Sequence, residues 1–499
     1  MVLLKRLLAL MACLSTGAAA LPDSPPGLTA GGEKGLLLDN VTIVDTRNGR
    51  LETSRSVVIR GNQILAVTAS GKTDAVEDLR RIDAHGAYLV PGYLDMHAHV
   101  LESTNPDADR RLMLSYGVTG FRQMAGSPAW LKQRREGTLL AGNLPRLLAM
   151  PGTVLTGGAV PDPDRARAAV GQQHDEGADF IKAIDMPPPA YLAALDEAAR
   201  LHMPFAGHLP PSIDLRDAVL HGMKSVEHLG PDVSILVSCS RNEAAIRAEL
   251  RAIPPGGSKI PPNPPREVLK RLVANPVLLT PDPLYALFGQ VLDTYDEAKC
   301  RDLAKMLSMA ETWQVPTLIR EQSMRFGNAP HFRNAPELRY IPERTRKMWS
   351  EVGADFGTKL SPSQKATMAR MFQRELALVK LFDAAGVKML AGSDMGGGWL
   401  IPGMSLHQEF DLLAKAGLSP LRILQMTTLD GARFLGLEAE MGTIEPGKRA
   451  DIVLLDANPL KDVRNLHRVA GVVMDGQYMS RKELNALQDK VAADASLQK

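Results

Sequence analysis

Between residues 89 and 440, short apolar segments alternate with amphipathic helical segments, and this alternation is the feature that most restricts the fold. Helices are predicted over residues 190–201, 215–221 and 372–385. Parallel strands need such helical crossovers, and eight strand–helix units can close into a barrel, so the pattern predicts an α/β fold with a (β/α)8 TIM-like barrel. The eight candidate strands begin near Leu89, Val118, Arg146, Asp179, Pro204, Lys224, Val315 and Val387. An open doubly wound sheet is disfavoured because no glycine-rich phosphate loop follows the first strand.

β-rich segments flank the predicted barrel of residues 89–440. Residues 35–88 contain a hairpin signal at Gly61-Asn62, and residues 441–480 contain another at Asp475-Gly476. We expect these two ends to pair into one small sheet domain, followed by a C-terminal tail over residues 481–499. Insertions near residues 240–314 and 325–371 interrupt the alternation of predicted strands and helices. They are either walls of the substrate site or inert surface loops.

The N-terminus has the layout of a secretory signal peptide over residues 1–20. Lys5 and Arg6 precede an apolar run over residues 7–14, and small residues follow at 18–20. Residues 21–34 are rich in proline and glycine and are predicted to be a linker. The protein is therefore expected to be secreted or periplasmic, with lipid anchoring at Cys13 as an alternative. Removal of the signal leaves Cys239 and Cys300, which are either bridged or free buried thiols.

Charge and hydropathy restrict the partners. The net charge is +2, so no broad basic field for nucleic acid is expected. No run in the expected mature chain reaches the roughly 20 apolar residues that a transmembrane helix needs. A small-molecule substrate is the expected partner, and the oligomeric state stays open, with a homo-oligomer among the options.

The motif Pro91-Gly-Tyr-Leu-Asp-Met-His-Ala-His99 places two histidines at the end of the first predicted strand. Strand side chains alternate between faces, so His97 and His99 point the same way and can share one metal ion. An isolated pair of this kind is more often structural. Here, however, further ligand-type residues end three later strands: His208, His228 and Asp394. In barrels of this type the chemistry lies at this end of the strands, which favours a metal site.

Lys182 ends another candidate strand. An ammonium beside two divalent ions would be driven to lose its proton. The neutral amine could then take up CO2 as a carbamate, which is an anion able to bridge two metals. A structural lysine paired with a carboxylate is the alternative, but the four histidines and Asp394 favour the bridge.

Together these motifs, with Gly442-Thr-Ile-Glu-Pro-Gly-Lys-Arg-Ala-Asp-Ile-Val453, resemble the amidohydrolase superfamily, in its imidazolonepropionase-like and prolidase-like branch. The resemblance implies His97, His99 and Asp394 on a first metal, and His208 and His228 on a second. Carboxylated Lys182 would lie between the two metals. It also implies that the β-rich ends form a composite β-sandwich. Histidine ligands favour zinc, although manganese, iron or cobalt would suit the same set.

The expected activity is hydrolysis of an amide C–N bond, with Asp394 as general base. The resemblance implies a dipeptide or N-acyl amino acid as substrate. Arg320 and Arg122 are candidates to bind its carboxylate, although each is alternatively a structural ion-pair partner. A cyclic-amide hydrolase or a deaminase acting on a ring is one alternative function. An inactive binding protein on the same fold is another, which the complete ligand set disfavours.

Overall fold

The computed structural model describes residues 35–72, 78–253 and 265–498. The predicted signal peptide, the linker and Cys13 lie outside the described residues, and so does part of the proline-rich stretch near residue 260. Sixteen strands are assigned among the described residues: β1 (Gly35–Val44), β2 (Leu51–Arg60), β3 (Gln63–Ala69), β4 (Leu79–Asp83), β5 (Tyr88–Pro91), β6 (Tyr93–Ala98), β7 (Val118–Gln123), β8 (Arg146–Ala149), β9 (Leu155–Thr156), β10 (Ile181–Ile184), β11 (Phe205–Gly207), β12 (Met223–Glu227), β13 (Trp313–Val315), β14 (Ile452–Leu455), β15 (Val469–Met474) and β16 (Gln477–Ser480).

The helices lie mostly between the strands of the central part and after them. The α-helices in the described ranges are α1 (Pro106–Ser115), α2 (Pro128–Arg135), α3 (Pro163–Asp175), α4 (Pro188–Arg200), α5 (Leu215–Leu220), α6 (Ser234–Ser238), α7 (Glu243–Ala252), α8 (Arg266–Ala274), α9 (Asp282–Asp293), α10 (Glu297–Met309), α11 (Leu318–Arg325), α12 (Pro330–Arg333), α13 (Glu343–Lys359), α14 (Pro362–Ala384), α15 (Met404–Ala416), α16 (Pro420–Met426), α17 (Leu429–Phe434) and α18 (Arg481–Leu497). Short 3-10 helices occur at Val100–Glu102, Pro276–Leu279, Pro336–Tyr340 and Val463–His467.

Local sequence explains where many of these helices start. Asn105, Ser127 and Asp162 each cap a helix by accepting a hydrogen bond from a backbone N–H of its first turn. A proline follows each of these caps, where its missing N–H costs nothing. None of the described helices is long and apolar enough to cross a membrane.

The two β-rich ends of the chain meet in one eight-stranded sheet. Its strand order is β16-β15-β14-β5-β1-β2-β3, and β4 pairs with β1. The junction is the antiparallel pairing of β14 with β5, in which Val453 lies opposite Val90. Both predicted hairpins are present, β2–β3 around Gly61-Asn62 and β15–β16 around Asp475-Gly476. The apolar segment at Leu89, predicted as the first barrel strand, belongs to this sheet as β5, and β6 begins four residues later.

The central part of the chain is mixed α/β, with two parallel sheets. One sheet has the order β6-β7-β8, and the other has the order β13-β12-β11-β10-β9. One isolated parallel bridge, Pro151 with Phe180, lies between the two sheets next to β8 and β10, and another, Gln314 with Met389, joins β13 to the segment around Met389. The segment around Met389 also reaches β6, because the Met96 N–H donates to Ala391 O at 3.0 Å. The predicted strand near Val387 is therefore an irregular extended segment between β13 and β6.

The C-terminal residues differ from the expected tail, and the state of the two cysteines is settled. Residues 481–499, expected to be a tail, contain helix α18, which starts at a capping box formed by Ser480 and Glu483. Cys239 and Cys300 form a disulfide that joins the end of α6 to α10. Both cysteines are fully buried.

Candidate metal centre

Five of the six predicted metal ligands lie at or just beyond the carboxyl ends of the parallel strands or of the irregular segment beside them, whereas Lys182 is the second residue of its strand. His97 lies on β6, with His99 just after it, and Lys182 lies on β10. His208 follows β11 and His228 follows β12. Asp394 follows the segment that pairs with β13, and its N–H donates to His97 O at 2.7 Å.

Glycines permit the close approach of these strand ends. A Cβ on Gly392 would lie 2.8 Å from the His97 Cβ, so the glycine of the Gly-Ser-Asp motif lets the Asp394 segment lie against β6. Gly207, before His208, has φ +141°, and a Cβ there would lie 2.2 Å from Ala183 O. Side chains at either position would push the ligand-bearing segments apart.

The first group of ligands converges on Asp394. Its Oδ1 lies 3.1 Å from the Nε2 of His97 and 3.1 Å from the Nε2 of His99. Burial alone would raise the pKa of the Asp394 carboxyl, but these histidines hold that pKa well below its usual range. His97, His228 and Asp394 each place one ligand atom within 4.8 Å of the others. His97, His228 and Asp394 thus offer two imidazoles and an ionised carboxylate at the spacing that a metal ion needs, so His228, predicted on the second metal, also lies beside the first group.

The ring of His97 is fixed from behind by Glu227. The His97 Nδ1 lies 2.7 Å from Glu227 Oε2, which leaves Nε2 facing Asp394. Glu227 is fully buried and receives a 2.6 Å hydrogen bond from the Ser225 hydroxyl. Such a carboxylate–histidine pair orients a metal ligand and selects its tautomer. Sequence reasoning passed over Glu227, although it stands in the Val-Glu-His motif beside a predicted ligand.

Arg122 completes this support. Its Nη2 lies 2.9 and 3.0 Å from the two oxygens of Glu227, and its Nε donates to Met96 O at 2.7 Å. The guanidinium also lies over the rings of Phe180 and Phe434. The structure therefore places Arg122 beneath the ligands as a structural ion-pair partner, with its donors used by the protein. This geometry argues against the predicted contact with a substrate carboxylate.

The second histidine pair is formed by His208 and His228, whose ring centroids lie 4.9 Å apart. The His228 Nδ1 lies 2.6 Å from the Thr317 hydroxyl, which itself donates to Pro316 O. The hydroxyl therefore accepts from His228 Nδ1–H, and this leaves the Nε2 lone pair free. Burial holds the pKa of both histidines well below its usual value, so they are neutral, as metal ligands must be.

Lys182 is the buried amine predicted between these two groups. It is 1% exposed, and its Nζ has no hydrogen-bond partner among the described residues. Burial lowers the pKa of Lys182 to about 8, although the charges of Glu227 and Asp394 act in the opposite direction. An orphaned buried amine is costly unless something else binds it. This observation fits the predicted carbamate and the two metals that it would join.

Arg320 lies on the other side of Asp394, with its Nε 3.2 Å from Asp394 Oδ2. Its other nitrogens donate weakly to the carbonyls of Val273 and Ala274, at 3.3 and 3.4 Å. A Cβ on Gly397 would lie 2.1 Å from Arg320 Nη1, so the guanidinium packs on bare backbone. Arg320 thus contacts a predicted ligand, while its substrate role stays a prediction.

A second carboxylate, Asp95, joins the two halves of the first ligand group. It accepts hydrogen bonds from the Ser393 N–H at 2.9 Å, the Ser393 hydroxyl at 2.5 Å and the His97 N–H at 3.2 Å. Asp95 was not singled out from sequence, although it stands two residues before the His-x-His motif. Its position fixes the distance between β6 and the Asp394 segment.

Comparison with known proteins supports the resemblance that the sequence motifs indicate. A model of the amidohydrolase family matches residues 373–479. An adenine deaminase from Escherichia coli O157:H7 is 49% identical over 67 residues, which are 13% of this chain and 11% of that protein. A 5-methylthioadenosine/S-adenosylhomocysteine deaminase from Moorella thermoacetica is 36% identical over 96 residues, 16% of this chain and 21% of that protein. The matches thus span about a tenth and a fifth of these relatives.

Solved structures match over most of the chain. A bottromycin amidohydrolase has a TM-score of 0.68 at 22% identity, and the match covers 93% of this chain and 91% of that chain. A prolidase complexed with N-methylphosphonate-L-proline has a TM-score of 0.59 at 22% identity, covering 90% and 100%. A Xaa-Pro dipeptidase with bound methionine has a TM-score of 0.57 at 18% identity, covering 89% and 100%. The chain therefore shares the fold of these solved structures, and its match to the amidohydrolase family model over residues 373–479 agrees with the resemblance indicated by the motifs.

Proposed function

We propose that this protein is a metal-dependent hydrolase that cleaves an amide C–N bond. The single observation that carries the proposal is the buried, unpartnered amine of Lys182 near the neutral His208 and His228 and the ionised Asp394. The proposed first metal is held by His97, His99 and Asp394, and the second by His208 and His228, with carboxylated Lys182 between them. Bound divalent ions, zinc by default, would polarise the scissile carbonyl and acidify water.

The protein's own groups supply the proton transfers. Asp394 is ionised, so its carboxylate can take a proton from the attacking water. As the C–N bond breaks, the same carboxylate returns that proton to the leaving nitrogen, while the carbonyl carbon keeps the hydroxyl. Arg320, 3.2 Å from Asp394 Oδ2, holds the carboxylate in place. Glu227 and Thr317 keep the histidine rings oriented.

We infer further that the two parallel sheets form one closed (β/α)8 barrel. In support, counting β6, β7, β8, β10, β11, β12, β13 and the segment at Met389 gives eight members. Bridges connect Pro151 to Phe180, Gln314 to Met389, and Ala98 to Met395, which returns the chain to β6. We also propose that the eight-stranded sheet, which both β-rich ends of the chain form, is the composite β-sandwich.

The proposed substrate is a dipeptide or an N-acyl amino acid. Structural neighbours named as a prolidase and a Xaa-Pro dipeptidase support this class, since their chains are matched over their full length. A deaminase or cyclic-amide hydrolase is the second candidate, favoured by the local similarity to adenine deaminase. The orphaned Lys182 weighs against that candidate, because a single-metal site would leave it without a role.

Secretion is proposed as well. The signal-like N-terminus predicts export, and the Cys239–Cys300 disulfide is of the kind that persists in oxidising compartments.

A substrate panel tests the proposed reaction. The purified protein, loaded separately with Zn²⁺, Mn²⁺ or Co²⁺, would be incubated with Xaa-Pro and other dipeptides, N-acetyl amino acids, lactams and adenine. Released amino acid and ammonia are measured separately, and Asp394→Asn serves as the background control. Amino-acid release by wild type alone supports the proposal. Release of ammonia or opening of the lactam ring would favour the deaminase or cyclic-amide hydrolase. No turnover with any of the three metals would favour an inactive binding protein.

A further inference from the structure

Helix α11 contacts one ligand of each proposed metal. Thr317, the residue before the helix, accepts the hydrogen bond from His228 Nδ1 at 2.6 Å. Arg320, in the first turn, places its Nε 3.2 Å from Asp394 Oδ2. In the proposed two-metal assignment, His228 would bind the second metal and Asp394 the first. The position of this one short helix therefore sets the position of a ligand on each side of the centre.

The N-terminus of α11 is held in turn by Glu409 of α15. The Ile319 N–H donates to Glu409 Oε2 at 2.8 Å. Glu409 is completely buried, and its Oε1 has no hydrogen-bond partner within the described parts of the chain. Burial raises the pKa of Glu409 to about 8, so the side chain is mainly neutral at pH 7.

We propose that Glu409 is a positioning residue that couples the two metal sites by fixing the first turn of α11. This inference rests on the proposed two-metal function. An orphan N–H at a helix start needs an acceptor, and the carboxyl of Glu409 provides one in a region that water does not reach. Without it, the first turn has to shift or stay unsatisfied, and Thr317 and Arg320 move with it.

Loss of Glu409 therefore has a signature that a simple loss of packing does not have. Affinity for both metals falls together, because a single displacement disturbs His228 and Asp394 at once. Changes in groups that orient ligands typically weaken metal binding by about 10–100-fold. Since Glu409 acts one step further from the metals, we expect about tenfold at each site.

Three variants test the coupling: Glu409→Ala, Glu409→Gln and Leu413→Ala. Glutamine keeps a carbonyl acceptor of almost the same shape as the neutral carboxyl. Leu413, on the same helix and fully buried, provides a control for loss of packing alone. The two dissociation constants are measured by competition with a chelator, and the geometry is followed by the visible spectrum of the Co²⁺-loaded protein.

The expected result is that Glu409→Ala weakens both sites about tenfold and alters the Co²⁺ spectrum. Glu409→Gln and Leu413→Ala should both resemble wild type in these measurements. If Glu409→Ala does not fold, Glu409→Asp replaces it, since the shorter side chain withdraws the acceptor from Ile319. Three results would overturn the inference. Metal binding could be unchanged in Glu409→Ala (or in Glu409→Asp, if that variant replaces it), only one of the two sites could be weakened, or Leu413→Ala could weaken both sites equally. A wild type that binds fewer than two metals would instead reject the proposed function.

Discussion

Arg122 and Glu227 form a two-point ion pair that is closed to solvent, with Nη2 of the arginine 2.9 and 3.0 Å from the two carboxylate oxygens. The side chains are 1% and 0% exposed. The same carboxylate holds the Nδ1 of His97 at 2.7 Å. The ion pair thus lies directly behind a proposed metal ligand, and its integrity decides how that ligand is presented.

Removal of Arg122 should be costly for this reason. Arg122→Met leaves the Glu227 charge buried without its partner, which typically lowers the free energy of unfolding by about 3–5 kcal/mol. Arg122→Lys retains the charge but not the separate guanidinium donors to Met96 O and the Ser225 hydroxyl, so an intermediate loss is expected. Urea unfolding and zinc affinity measure the two effects. The exposed Arg433→Met is the control, and Arg122→Met behaving like that control would contradict the assigned role.

Thr317 offers a sharper test of ligand orientation. Thr317→Ala removes the acceptor from His228 Nδ1, so the imidazole can rotate or change tautomer, and we expect metal affinity to fall by about 10–100-fold. Thr317→Ser keeps the hydroxyl and should bind like wild type. Isothermal titration with Zn²⁺ or Co²⁺ compares the two variants. Equal affinities in alanine and serine variants would show that the hydroxyl does not orient His228.

His407 gives the fold a predictable acid sensitivity. Burial, followed by the nearby charge of His467, lowers the pKa of His407 to about 3. In the unfolded chain that pKa is near 6.5, so from pH 6.5 down toward 3 only the unfolded chain takes up the proton. The free energy of unfolding therefore falls as the pH drops through this window, by about 2 kcal/mol at pH 5 relative to neutral pH.

Denaturant unfolding at pH 7.5 and pH 5 checks this prediction. The difference in unfolding free energy between the two pH values should shrink in His407→Gln. It should stay unchanged in His85→Gln, where the side chain is 83% exposed. An undiminished difference in His407→Gln would assign the acid sensitivity to other groups.

That His97 and His99 point the same way was predictable from sequence because strand geometry is regular. His97 and His99 follow the two-residue period of a strand, and both contact Asp394. Glu227 was missed because the same period places it on the opposite face from His228. His228 and Asp394 do not follow the strand period, because their backbones are left-handed, with φ +60° and φ +54°. A left-handed backbone of this kind cannot be read from the pattern, since residues other than glycine seldom adopt it.

Arg122 and α18 show two other limits. A strand sequence does not reveal which neighbouring strand supplies a counter-ion, and the partner of Arg122 lies 105 residues further along the chain. For α18, the amphipathic pattern after residue 480 is weak, and only the capping box of Ser480 and Glu483 marks its start. Its place in the fold depends on packing against α1, which the sequence does not display.

The most direct test of the account is the metal content of the purified protein, measured for wild type and Lys182→Ala. The exposed Lys132→Ala serves as the matched control. The account predicts about two metals per chain in wild type and in the control, with a sharp fall in Lys182→Ala, because the buried amine would provide the ligand that both metals share. One metal or none, unaffected by Lys182→Ala, would contradict the bridged two-metal centre.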